Sequence, residues 1–265
     1  MRTKIDGIYI NYELTGRGKT FVLTHGLGGE LGNWGHVVPP FAELYQVLTW
    51  DVRGFGRSDK PDGEFSPGLF AQDLHQLLVK LNIAGVYLLG HSMGGVIAQR
   101  FALDYPDQVE ALILVATSSE VAPKFMAGWQ ERIRLVQEKG MEGVVPFSNR
   151  GYGPEFATTH PQMVKERSKL LLNNDPKAYV KATGAISDYN YTGELPRLKC
   201  PTLILQGDKD VITPPGGSVI MSRNIPGSEL KIYKGCGHMV PTEREREFVG
   251  DILDFLKRVE MRGQD

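Results

Sequence analysis

The segment Gly90-His91-Ser92-Met93-Gly94-Gly95 sets a serine among glycines, directly after the apolar run Val86–Leu89 and before the helical pattern Val96–Ala102. A serine on a sharp strand-to-helix turn presents its hydroxyl outward, and small neighbours tolerate the backbone bend that this requires. The N-terminus of the following helix offers N–H groups and partial positive charge to a developing anion. A hydroxyl is a weak nucleophile until a base removes its proton. His238 fits that need: it ends Gly235-Cys236-Gly237-His238, just past the strand candidate Leu230–Tyr233. Asp210, in Gly207-Asp208-Lys209-Asp210, follows the strand candidate Thr202–Leu205 and can orient the imidazole. Ser92, Asp210 and His238 therefore read as nucleophile, acid and base of acyl transfer, all on loops leaving carboxyl ends of strands.

Such chemistry also needs donors for the oxyanion. One is the backbone N–H of Met93, the residue after the serine. The second is assigned to the N–H of Leu27 in the glycine-rich loop His25-Gly26-Leu27-Gly28-Gly29. Asp208 rivals Asp210 as the acid, but Asp210 lies further past the strand end and can swing under the histidine, which leaves Asp208 as a loop cap. Of the six histidines, His25 reads as a brace for its own loop and His91 as the variable position of the serine motif. His36, His75 and His160 read as surface or structural. None is spaced with Cys or acidic partners as a zinc site would be, so no metal and no organic cofactor is expected.

The elements that must position these residues follow from the pattern of apolar runs. Tyr9–Leu14 alternates like a half-exposed strand and reads as an antiparallel start at the sheet edge. Phe21–Thr24, Val47–Trp50, Val86–Leu89, Leu112–Val115, Thr202–Leu205 and Leu230–Tyr233 are short strands, several continuously apolar as in a sheet covered on both faces. Ser66-Pro67 opens a helix carrying Phe70, Leu74, Leu77, Leu78 and Leu81 at helical spacing. Phe248, Ile252, Phe255, Leu256 and Val259 form the stripe of a closing helix. The mixed-sign run Glu243-Arg244-Glu245-Arg246-Glu247 reads as that helix's solvated first turn. Strand–helix alternation demands crossovers and hence a mostly parallel sheet. It breaks once, over 119–195, where helical stretches carry Trp129, Phe147 and other aromatics. This segment is expected to lie across the carboxyl ends of the strands, where open α/β sheets bind ligands.

The bulk numbers bound the reading. The chain has 265 residues, 41% hydrophobic and 23% charged, with net charge −1. That supports a large core and excludes disorder or a coiled coil. No basic stripe marks a nucleic-acid partner, and no window has the roughly 18 apolar residues of a membrane span. The start of the chain carries no signal-peptide stretch, so a cytoplasmic location is expected. Cys200 and Cys236 fall at opposite ends of the sheet and read as free thiols.

The set HGLGG, DVRGFGRSD, GHSMGG, GDKD and CGHM resembles the α/β-hydrolase superfamily along nearly the whole chain, most closely small capped serine esterases and 3-oxoadipate enol-lactonases. The resemblance implies an α/β-hydrolase fold: a mostly parallel central sheet flanked by helices, with a helical cap inserted after the sixth strand. Its core would span 1–118 and 196–265, and its cap, or lid, 119–195. It carries the same assignments onto Ser92, Asp210, His238, Leu27 and Met93, and reads the DVRGFGRS segment as a structural turn. The activity implied is hydrolysis of small carboxylic esters or lactones, with Trp129, Phe147 and Met239 in the substrate pocket. Two alternatives stand beside it. C–C bond hydrolysis of vinylogous diketones is disfavoured because Met239 stands where such enzymes usually carry Trp, and a non-catalytic ligand receptor of the same fold is disfavoured by the complete constellation. Oligomeric state and physiological substrate are not encoded in any motif.

Overall fold

In the computed structural model, which describes residues 1–262, an eight-stranded sheet runs in the order β1-β2-β4-β3-β5-β6-β7-β8. In chain order the elements are β1 (Arg2–Ile5), β2 (Ile8–Thr15), β3 (Thr20–Thr24), α1 (Val38–Ala42), β4 (Gln46–Trp50), α2 (Pro67–Lys80), β5 (Val86–His91), α3 (Met93–Asp104) and β6 (Val109–Val115). Then come α4 (Pro123–Lys139), α5 (Val145–Asn149), α6 (Pro154–Thr159), α7 (Pro161–Leu172) and α8 (Pro176–Ala185). The chain closes with β7 (Thr202–Gly207), α9 (Gly216–Asn224), β8 (Glu229–Tyr233), α10 (Val240–Glu243) and α11 (Glu245–Arg262). β1 and β2 are antiparallel to their neighbours, while β4 through β8 pair in parallel.

Side-chain alternation divides the core into two layers. Phe21 and Leu23 of β3 face α1 and α11, joining Phe41, Phe248, Ile252 and Leu256. Val22 between them faces the opposite layer, with Phe70, Leu74 and Leu77 of α2 and Val96 and Ile97 of α3. At roughly 1.5–3 kcal/mol for each large apolar side chain taken out of water, these layers dominate the fold's stability. α2 begins as its sequence requires: the Ser66 side chain accepts from Leu69 N at 3.1 Å, and Pro67 occupies the first turn. The helical stretch between β6 and β7 is tied to itself by packing of α4 on α8 and α5 on α7.

The structure departs from two sequence expectations. Tyr9–Leu14 is not the sheet edge, because β1 pairs outside it, Ile5 opposite Ile8. β1 has four residues, of which Ile5 alone is buried, too short an alternation to stand out. Its presence makes Val109–Val115 the sixth strand. Glu243 departs as well. It does not lie in a solvated first turn but ends α10, at 8% exposure, and its carboxylate faces the protein interior.

Strand order positions the site. Successive strands β3 and β4 lie to one side and β5 crosses to the other, so β3 is flanked by β4 and β5. The loops after β3 and β5 diverge at such a reversal and leave a crevice at the carboxyl end. Thr24 pairs with Gly90 across that crevice, so His25–Gly29 and Ser92 emerge side by side.

Candidate active site

Ser92 sits between β5 and α3 with φ 56° and ψ −118°, a conformation that costs a non-glycine residue on the order of 1–3 kcal/mol. Surrounding bonds hold it there. Ser92 N donates to Val115 O at 2.9 Å, while Ser92 O accepts from Gly95 N at 2.8 Å and from Thr117 Oγ1 at 2.9 Å. The flanking glycines are required by close approach: a Cβ on Gly90 would lie 2.1 Å from Gly94 O, and one on Gly94 would lie 2.1 Å from Thr24 O. The turn is thus over-determined by its neighbours, as expected where an exposed hydroxyl must be held fixed.

His238 and Asp210 are buried at 6% and 4% exposure and meet at 2.8 Å, Nδ1 to Oδ2. Asp210 Oδ1 also accepts from Ile212 N at 2.8 Å and Thr213 N at 2.9 Å, and Oδ2 accepts from Gln206 Nε2 at 3.0 Å. Burial pushes the Asp210 carboxyl up, but His238 and the Thr213 donors outweigh it and hold the group below the ordinary carboxylate range. Ionised, Asp210 can only accept, so the shared proton is assigned to His238 Nδ1 and Nε2 is left to take another. Ser92 and His238 line the same cavity, of about 50 Å³, together with Leu27, Met239 and Trp129.

Asp208 takes no part in this network. Its Oδ1 accepts from Gly235 N at 2.6 Å, tying the β7 and β8 loops together. His25 braces its loop from both ring nitrogens: Nδ1 donates to Gly26 O at 2.8 Å and Nε2 accepts from Val52 N at 3.0 Å. Burial holds its pKa below the ordinary imidazole value, consistent with this neutral tautomer. The turn that begins at Asp51 is organised by that carboxylate, which accepts from Asn11 Nδ2, Leu31 N and Arg57 N. Arg53 is committed to a buried ion pair with Asp73. Among the described residues, neither Leu27 N nor Met93 N donates to a protein acceptor, and both follow strands that end at the crevice.

Two supports of His238 have no sequence signal. His91 Nε2 donates to His238 O at 2.9 Å, and the two rings lie 4.9 Å apart. Burial, then the neighbouring His238, pushes the His91 pKa down to about 3, so it stays neutral. Glu243 is the other support, accepting from Gly237 N at 3.1 Å and from Gly153 N at 2.9 Å. His238 N meanwhile donates to Gly151 O at 2.6 Å. The histidine loop is therefore clasped to the helical stretch as well as to the sheet. Burial pushes the Glu243 carboxyl up against these backbone donors, which pull it down.

The residues expected in the substrate pocket separate. Trp129 and Met239 line the cavity that holds Ser92 and His238. Trp129 also lines a second cavity of about 200 Å³ beside Ser92, with Val96, Phe125, Ile186, Tyr189 and Ile220. Phe147 lines neither, and faces an outer, open cavity of about 570 Å³ that reaches the surface past Trp129 and Ile212. Both cysteines are free thiols, and burial pushes Cys200 up to about 11. Among the described residues no helix is long and apolar enough to cross a membrane, and no group of three or more His, Cys, Asp or Glu is arranged to hold a metal ion.

Comparison with known proteins agrees with this architecture. A family profile described as the alpha/beta hydrolase fold matches residues 19–245. The chain is 25% identical over 254 residues to 3-oxoadipate enol-lactonase 2 of Acinetobacter baylyi, covering 95% of this chain and 94% of that protein. The crystal structure of the enol-lactonase from Burkholderia xenovorans LB400 superposes with a TM-score of 0.92 at 24% identity, over 97% of this chain and all (100%) of that one. A thermophilic esterase from Thermogutta terrifontis superposes with a TM-score of 0.88 at 28% identity, over 97% of each chain.

Proposed function

The chain belongs to the α/β-hydrolase family and is a hydrolase of that type, and we propose that it cleaves small carboxylic esters or lactones through an acyl-enzyme on Ser92. The observation that carries this reading is the buried 2.8 Å bond between His238 Nδ1 and Asp210, next to a serine held at φ 56° in the same cavity. Ser92 attacks the carbonyl while His238 Nε2 takes the hydroxyl proton. The amides of Leu27 and Met93 hold the oxyanion, each worth roughly 3 kcal/mol of barrier by analogy with other oxyanion donors. His238 then protonates the departing alkoxide, and water repeats the sequence on the acyl-enzyme. Asp210 keeps the imidazole in the productive tautomer throughout.

Residues 119–195 act in this reading as the lid. They contribute Trp129 and Tyr189 to the walls around Ser92, and Gly151 and Gly153 to the clasp on the histidine loop. The relatives' names support the substrate class, a lactone in one case and esters in another. Turnover of p-nitrophenyl butyrate by the wild type, abolished in Ser92→Ala, is the expected result. A Ser92→Ala protein as active as the wild type, or a wild type inert to every ester and lactone offered, would overturn the proposal.

A further inference from the structure

Ser92 stands between two cavities of different character. The larger, about 200 Å³, is walled mainly by apolar side chains. The smaller, about 50 Å³, is lined by two arginines from the helical stretch, Arg132 of α4 and Arg167 of α7. Building on the ester or lactone hydrolase reading, we propose that the substrate carries a carboxylate, bound by Arg132 and Arg167 in the small cavity beside Ser92.

The two guanidiniums lack a charged partner. Among the described residues neither forms an ion pair, whereas Arg53, which is likewise held out of water, is paired with Asp73. Arg167 has one contact to a protein acceptor, a long 3.4 Å bond from Nη1 to Gly28 O, out of five N–H donors. Burial disfavours its charge, and the groups that favour it are the phenols of Tyr152 and Tyr179 and then Glu30, which lies beyond ion-pair distance. Arg132 lies over the rings of Trp129 and Phe147, 4.8 and 5.0 Å from their centroids. Stacking uses the face of a guanidinium and leaves its N–H edge available for a planar anion. Tyr179 lies beside both guanidiniums and bonds Arg132, but a neutral phenol leaves their charge uncompensated, and a bound carboxylate answers it with charge-assisted bonds. The cavity has room for roughly three to five water-sized groups, enough for a carboxylate and little more. The uncharged remainder of the substrate would then fill the apolar cavity on the other side of Ser92.

Two matched pairs of probes test this. For acid on the acyl half, mono-p-nitrophenyl glutarate is compared with its terminal carboxamide. For acid on the alcohol half, butanoyloxyacetic acid is compared with its amide by pH-stat. In the wild type, kcat/KM should favour the acid over the amide by about 10-fold or more in at least one pair, the scale of a hydrogen bond to a charged group. Arg167→Gln and Arg132→Gln should each remove most of that ratio, whereas a purely structural role would lower both members alike and keep it. A wild type that turns over both amides as well as or better than the acids would overturn the proposal while leaving the esterase reading intact, and this comparison stands even if a variant fails to fold. Variants that keep the full acid preference would also overturn it. No turnover of any of the four probes or of p-nitrophenyl acetate would overturn the hydrolase reading itself, and this proposal with it.

Discussion

His91 makes a measurable prediction about acid stability. In the folded protein its pKa is pushed down from 6.5 to about 3, because burial disfavours the cation and His238 lies beside it. The unfolded chain takes up the proton near the ordinary value and the folded protein does not. The contribution is therefore fully present above pH 6.5 and is lost as pH falls toward about 3. Each pH unit in that window is worth about 1.4 kcal/mol, so acidification from pH 7 to pH 5 removes about 2 kcal/mol through this residue alone. Asp210 and His25, whose pKa values are also lowered, act in the same direction. A substitution at position 91 leaves those contributions in place. His91→Gln keeps a donor for His238 O and removes the titration, so its stability should fall about 2 kcal/mol less than that of the wild type between the two pH values. Urea unfolding followed by tryptophan fluorescence at pH 7 and pH 5, for both proteins, measures the difference directly. Parallel losses would mean that His91 is not held neutral in the fold, and the bond to His238 O would need another account.

Other substitutions probe the remaining links. Asp210→Asn should lower kcat by on the order of 10⁴, as in other triads, while Asp208→Asn, which loses one loop bond, should stay within a few-fold of the wild type in the same ester assay. Trp129→Ala should shift the ratio of kcat/KM between short and long acyl esters, because Trp129 walls the cavities beside Ser92. Phe147→Ala, at the outer mouth, should change that ratio much less, and an equal shift would contradict the separation of the two cavities. Glu243→Ala leaves two buried backbone donors unanswered and should cost about 2–5 kcal/mol in urea unfolding. Glu243→Gln should recover part of that loss.

What could be read in the sequence depended on how local its cause was. The serine turn was legible because a strand, two crowding glycines and a helix start all lie within a few residues of Ser92. β5, β6 and β7 were legible because both faces are buried, which writes a continuous apolar run. β1 left almost no trace, since only Ile5 of its four residues enters the core. Glu243 misled for a different reason. Its charged neighbours share a solvated turn, and nothing local reports that this carboxylate would meet the amides of Gly153 and Gly237 from two other loops. Arg132 and Arg167 were equally silent, as ordinary charges on helices more than 30 residues apart whose convergence depends on how α4 and α7 pack.

Acyl transfer through Ser92 requires a covalent intermediate, and a trap that reacts as the substrate does can capture it. The protein is treated with a fluorophosphonate and the adduct is located by peptide mass spectrometry, with ester hydrolysis followed in parallel. One adduct per chain is expected, on the peptide carrying Ser92, with activity falling in step with labelling and both sharply slowed in His238→Ala. An adduct on another residue, or full labelling of Ser92 with hydrolysis undiminished, would contradict acyl transfer through Ser92.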